Sequence, residues 1–246
     1  MTAYTAGQLL SFWDPVENAP AHRRLGSLLA GIDGGDASRN ETLGERNRRL
    51  LRLHRTLVGT PLEAHIKCAR CGVDNEFTIP ADSILAAPAA APEAHVRIRT
   101  RGGSLTFRLP RMDDVEAASD ATALRDVRRA VLERCLVAGA VDAITDVAVE
   151  RLGREFEARD PAANVLVTIS CAGCPGTLAA SVDLAAFIAA DLDRMLAALY
   201  RDIDAIASTY GWDERTILSL PPSRRRRYVA MIAARTRLHP KAQRAQ

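Results

Sequence analysis

Two cysteine pairs of identical spacing, Cys68-Ala-Arg-Cys71 and Cys171-Ala-Gly-Cys174, constrain the fold of this chain more than any other feature. Each pair follows a short β-type run, His65-Ile66-Lys67 in one case and Val165 to Ile169 in the other. Each then meets glycine or proline and a second such run, Glu76 to Ile79 or Leu178 to Val182, so each reads as a hairpin with its thiols at the turn. A redox pair of the thioredoxin kind sits instead at the start of a helix, where the positive dipole end lowers a thiol pKa. Gly72 and Pro175-Gly176 argue against a helix at either position. Tight turns of this kind suit a pair of knuckles whose four thiolates close one tetrahedral zinc site. Cys68, Cys71, Cys171 and Cys174 are therefore the expected ligands of one structural Zn2+ per chain, the alternatives being thiols that are only buried or a site that has lost its metal.

Residues 72 to 170, 99 in all, lie between the inner cysteines. A simple ribbon has roughly 15–20 there, so the ribbon is expected to be split by an insertion. A closed four-thiolate site has no open coordination position, which points to folding rather than catalysis. His65 reads as a lone surface histidine. Cys135 falls at helical spacing from Leu124, Val127, Val131 and Leu132 and reads as a core residue.

With 246 residues, 48% apolar and 26% charged, the chain is long enough to bury a substantial core in one large or two small domains. No apolar run approaches the roughly 20 residues that span a bilayer. The N-terminal MTAYTAGQLLSFWDP lacks the basic segment of a signal peptide, so a reducing cytoplasm is expected, where paired cysteines bind metal more often than they form disulfides. The net charge of +3 is uneven. Eight of the 33 basic residues fall between Pro221 and Gln246 with no acidic residue among them, which leaves 25 basic against 30 acidic in the remainder.

The predicted architecture is α+β: mainly helical, with the split zinc ribbon carrying an inserted hairpin plus helices. Residues 1–60 form an N-terminal helical region, with two short helices over 5–32, a break at Gly34 to Ser38, and a helix opened by the capping box Thr42-Leu43-Gly44-Glu45 and closed at Gly59. That helix has Leu43, Leu50, Leu51, Leu53, Leu57 and Val58 on its apolar face and Arg46, Arg48, Arg49 and Arg52 mostly outside. Residues 61–183 hold the ribbon, an alanine and proline linker at Ala86 to Pro92, a hairpin over His95 to Leu109, and helices at about 113–138 and 142–158. Residues 184–246 form a C-terminal helical module with a basic tail. Asp183 caps its long helix, Gly211 ends it, and Asp191, Asp193, Asp202 and Asp204 read as a solvated surface.

No glycine-rich phosphate loop, G-x-S-x-G or H-E-x-x-H occurs, so no catalytic residues, small-molecule substrate or membrane partner are expected. Arg224, Arg225, Arg226 and Arg227 are the remaining feature of note. They suit either an acidic protein partner or nucleic-acid phosphates. Trp212 and Tyr228 are grouped with them as candidate partner-binding residues.

The segments LLSFWDPVENAPAHRRLGSLLA, LGERNRRLLRLHRTLVG, LEAHIKCARCGVDNEFTI and YGWDERTILSLPPSRRRRYVAMI resemble the T4-type baseplate hub assembly chaperones of contractile phage tails and related contractile injection systems. The likeness covers most of the chain and is most specific in the C-terminal run. It implies a non-enzymatic role in building, or forming part of, the baseplate hub, with hub or spike proteins as partners. The alternative is a zinc-ribbon nucleic-acid binder that uses the arginine run.

Overall fold

The computed structural model describes residues 5–33, 41–59, 61–91, 94–118 and 123–238. The break at Gly34 to Ser38, Pro92 of the linker, and Lys241 and Arg244 of the basic tail lie outside them. The chain groups into two units, Met1–Gly31 with Ala189–Gln246, and Ile32–Ile188. The division into 1–60, 61–183 and 184–246 differs from this grouping, because side chains near the two ends of the chain bind one another.

In the first unit, α1 (Ala6–Trp13) opens with a capping box in which the Gln8 amide donates to Thr5 Oγ1 and Thr5 N–H donates to Gln8 Oε1. It is followed by α2 (Ala21–Asp33). The two approach closely enough that a Cβ on Gly31 would stand 2.4 Å from the Phe12 ring. Leu9, Leu10, Trp13, Leu25, Leu28 and Leu29 are buried in this unit, as are Leu192, Leu196, Ile206 and Ile217. Arg24 lies 5.0 Å from the Trp13 ring centroid and ion-pairs with Asp193, while Tyr200 donates to Asp14 Oδ1 at 2.7 Å. These bonds tie residues near the N-terminus to the long C-terminal helix. Asp193 therefore has a partner and does not belong to a merely solvated surface.

In the second unit, α3 (Leu43–Leu57) has the expected capping box, with Thr42 N–H donating to Glu45 Oε2 and Glu45 N–H to Thr42 Oγ1. Its arginines depart from expectation, since Arg46 and Arg48 are buried. Arg48 donates to the Ala87 carbonyl and lies 3.9 Å from Asp160, a buried carboxylate whose Oδ2 accepts the Gly44 N–H at 2.8 Å. These partners lie far along the chain, so an amphipathic-helix pattern cannot display them. The hairpin of β1 (Glu63–Lys67) and β2 (Asp74–Thr78) follows, then a short helix α4 (Ala81–Ala86) just ahead of the linker. The second hairpin, β3 (His95–Thr100) with β4 (Gly103–Arg108), pairs from His95↔Arg108 to Thr100↔Gly103.

The stretch expected as one helix over 113–138 is interrupted. The chain forms α5 (Met112–Ala117) and α6 (Leu124–Cys135), and then Leu136–Ala138 becomes a strand, β5, against Phe107 and Thr106 of β4. The unpaired edge of β4 supplies that strand with backbone partners, which helix periodicity cannot reveal. The next helix, α7 (Asp146–Arg159), starts later than expected, after a turn of 3-10 helix at Val141–Ala143. Val96, Ile98, Leu105, Phe107, Cys135, Ile144 and Leu152 form the core of this unit.

The hairpin β6 (Val165–Ser170) and β7 (Thr177–Val182) pairs throughout its length. It leads into α8 (Leu184–Tyr210), where Asp183 Oδ1 accepts the Ala186 N–H and Gly211 ends the helix with φ +71°. The short α9 (Glu214–Ser219) and α10 (Pro222–Leu238) complete the described chain. No described helix is long and apolar enough to cross a membrane.

Asp114 organises the junction of β4, α5 and α6. It is 1% exposed, accepts both Arg108 Nη atoms at 2.6 and 2.8 Å, accepts the Arg111 N–H at 3.0 Å, and faces Arg134 and Cys135. Burial alone raises a carboxyl pKa, but the Arg108 and Arg111 hydrogen bonds overcome it and hold Asp114 below its ordinary value. The stability contributed by ionised Asp114 is therefore complete above the unfolded value near 3.9 and is lost as pH falls through the lower folded value. Asp114→Asn is expected to destabilise the fold by about 1.5–3 kcal/mol at neutral pH. Thermal melts across pH should show the gap to wild type closing in strong acid.

Candidate metal centre

The two hairpins deliver their turns to one place. In the first, Cys68 N–H donates to the Val73 carbonyl and Gly72 N–H to the Cys68 carbonyl, both at 2.9 Å. Gly72 has φ +74°, where a side chain would be strained. In the second, Cys171 N–H donates to Gly176 O and Gly176 N–H to Cys174 O, both at 2.8 Å. The β1–β2 and β6–β7 ladders thus carry both turns of the spacing seen in the sequence.

Cys68, Cys71, Cys171 and Cys174 offer sulfur atoms that all lie within 4.8 Å of one another, forming a group able to hold a metal ion. Cys68 Sγ is 3.9 Å from Cys174 Sγ and Cys71 Sγ is 3.6 Å from Cys171 Sγ. A disulfide needs about 2.05 Å. The edge of a tetrahedron with metal–sulfur bonds of about 2.3 Å is about 3.8 Å, close to both cross-hairpin distances. The pairing runs across the hairpins, so neither knuckle is complete without the other.

Electrostatics within the group are uneven. The Gly173 N–H donates to Cys171 Sγ at 3.4 Å and brings that thiol down to about 6. Burial, with the neighbouring sulfurs adding to it, pushes Cys174 up to about 12. The backbone N–H of Cys71 lowers the Cys68 thiol as well, so Cys68 and Cys171 ionise ahead of Cys71 and Cys174, an imbalance that a divalent cation relieves.

Asn75 locks the arrangement, though the cysteine spacing does not mark it. It is 4% exposed on β2, its Oδ1 accepts the Ala172 N–H from the opposite knuckle at 2.7 Å, and its Nδ2 donates to Val73 O at 2.9 Å and Ile66 O at 3.3 Å. One side chain therefore fixes its own turn and docks the other. Gly173 permits the approach, since a Cβ there would meet Val73 Cγ2 at 2.6 Å. A buried amide beside a cysteine turn was the only available signal, and it is a weak one.

The other singled-out residues lie elsewhere. His65 is exposed beside Glu76, and Cys135 is fully buried in the core. In the arginine run, Arg224, Arg226 and Arg227 are exposed, whereas Arg225 is buried and donates to Leu220 O at 2.8 Å and Leu218 O at 3.5 Å. Trp212 and Tyr228 are half-buried and pack with Tyr210 at centroid distances of 5.0 to 5.6 Å. Comparison with models of protein families, with curated proteins and with solved structures returned no match.

Partners of metal ligands commonly contribute 10–100-fold to affinity, roughly. Asn75→Ala is expected to weaken metal binding within that range while leaving the four thiols in place. Competition with a chromophoric chelator on the purified variant measures it, and an affinity equal to wild type would remove Asn75 from this role.

Proposed function

We propose that this chain is a zinc-stapled, non-enzymatic assembly factor for the baseplate hub of a contractile tail or injection system, acting as a chaperone or remaining as a structural component. The resemblance through the N-terminal helices, the first knuckle and the C-terminal run supports the family. The metal is zinc, because four thiolates at tetrahedral spacing match its preferred ligand set and leave no coordination position for a substrate. The two knuckles make a split ribbon that staples residues far apart in sequence.

The observation that carries the docking role is the split fate of the arginine run on α10. Arg225 anchors the helix by binding carbonyls of the preceding turn, and Arg224, Arg226 and Arg227 make no ion pair among the described residues. The aromatic trio of Tyr210, Trp212 and Tyr228 holds the helix base, so the arginines project from an ordered support. Guanidinium forks bind carboxylates in a bidentate way, which suits an acidic surface on a hub or spike protein.

Elemental analysis of the purified protein is expected to find about one zinc per chain, and Cys171→Ser to lose it together with much of its thermal stability. Zinc near zero with undiminished stability would refute the zinc reading. The triple variant Arg224→Ala, Arg226→Ala, Arg227→Ala is expected to keep wild-type zinc content and melting while failing to co-purify with co-expressed hub proteins, each lost interfacial pair costing about 2–5 kcal/mol. If that variant retains the hub proteins but loses salt-sensitive binding to random DNA, a nucleic-acid role replaces this one.

A further inference from the structure

The inserted sheet of the second unit has one buried and one solvent face. Val96 and Ile98 of β3 and Leu105 and Phe107 of β4 point into the core. The alternate residues Arg97, Arg99 and Ser104 are exposed, as is Arg101 at the hairpin turn. Among the described residues, the side chains of Arg97, Arg99 and Arg101 make no ion pair or hydrogen bond, so three guanidinium groups on one hairpin are without a carboxylate at ion-pair distance. The strand order β3-β4-β5 also makes β3 an edge, and its backbone pairs with β4 alone.

We infer that the β3 edge and its arginine row form a docking surface for an extended acidic segment of another protein, added as a fourth strand. Alternate residues of a strand stand about 6.6–6.8 Å apart on one face. Arg97 and Arg99 therefore repeat at the spacing of glutamate or aspartate at every second position of an added strand. The edge N–H and C=O groups supply a hydrogen-bond ladder, and the arginines select for acidic side chains. A polynucleotide fits this surface less well. The only aromatic ring between Ala94 and Leu109 apart from His95 is Phe107, which is buried, so no base-stacking platform is present. This surface is separate from α10 and does not depend on the role given to Arg224, Arg226 and Arg227.

The test uses the full chain and a synthetic peptide with glutamate at every second position and threonine or valine between. The peptide should bind in low salt and dissociate as ionic strength rises from about 0.1 to 1 M, which shortens the screening length from about 10 to 3 Å. Replacing its glutamates with glutamine, or using Arg97→Ala with Arg99→Ala in the protein, should weaken binding by about tenfold or more. The Arg224, Arg226 and Arg227 variant should bind it as wild type does. Hydrogen exchange adds a readout that ionic contact alone would not move, because strand addition protects the outward-facing amides of Arg97 and Arg99, whereas those of Val96 and Ile98 already face β4. Binding that ignores Arg97 and Arg99, an absence of protection on β3, no measurable binding, or displacement of the peptide by a single-stranded oligodeoxynucleotide acting through the same arginines would each overturn the proposal.

Discussion

Four sulfur atoms converging from two distant turns are the constraint on which the meeting of the two cysteine hairpins depends. An isolated two-stranded hairpin is marginal in water, and the β1–β2 and β6–β7 hairpins bury little on their own. Along β1 only Ala64 is fully buried, along β2 only Asn75, and β6 and β7 each contribute one buried valine, Val165 and Val182. Neither has the apolar face needed to hold its register alone. Cross-hairpin sulfur distances of 3.6 and 3.9 Å, with the Asn75 bridge, supply the tertiary tie that hydrophobic area does not.

The remainder of the second unit has a different basis. Its three-stranded sheet packs side chains such as Phe107, Ile98 and Leu152 into a core with little solvent access, and it surrounds that core with charge that is buried and paired. Asp114 and Asp160 each serve backbone amides and arginines together. A buried carboxylate is tolerated when its lone pairs are filled or a cation stands beside it; Asp114 meets the first condition, whereas Asp160 Oδ1 has no hydrogen-bond partner and is compensated by Arg48 at 3.9 Å. Asp160 joins the residue after α7 to the first turn of α3, and a Cβ on Gly44 would stand only 1.8 Å from its Oδ1.

What was legible in the sequence was local. The knuckles, their flanking strands, the Thr42 capping box and the Gly211 helix stop are each set by a few neighbouring residues. The four cysteines could be grouped because thiols two residues apart are a rare and specific pattern. What could not be read was set by distant partners. Arg48 looks like a solvent-facing position until Asp160 and the Ala87 carbonyl arrive from elsewhere in the chain. Leu136–Ala138 is too short to show a strand period, and its conformation is decided by β4. Four consecutive arginines look equivalent in sequence, yet helix phase places Arg225 against the preceding turn and leaves its neighbours in water.

The 99-residue interval between the knuckles also sets an order of events during synthesis. At about 5–20 residues per second, a ribosome takes roughly 5–20 s to make the interval after the first turn has been made. Throughout that time Cys68 and Cys71 have only each other, and Asn75 has no Ala172 amide to receive. The inserted sheet and helices are completed within the same window, so they can collapse before the staple closes around them. The nascent chain therefore carries a half-built thiol site through 99 of its 246 residues, and the second hairpin closes a loop whose contents are already present.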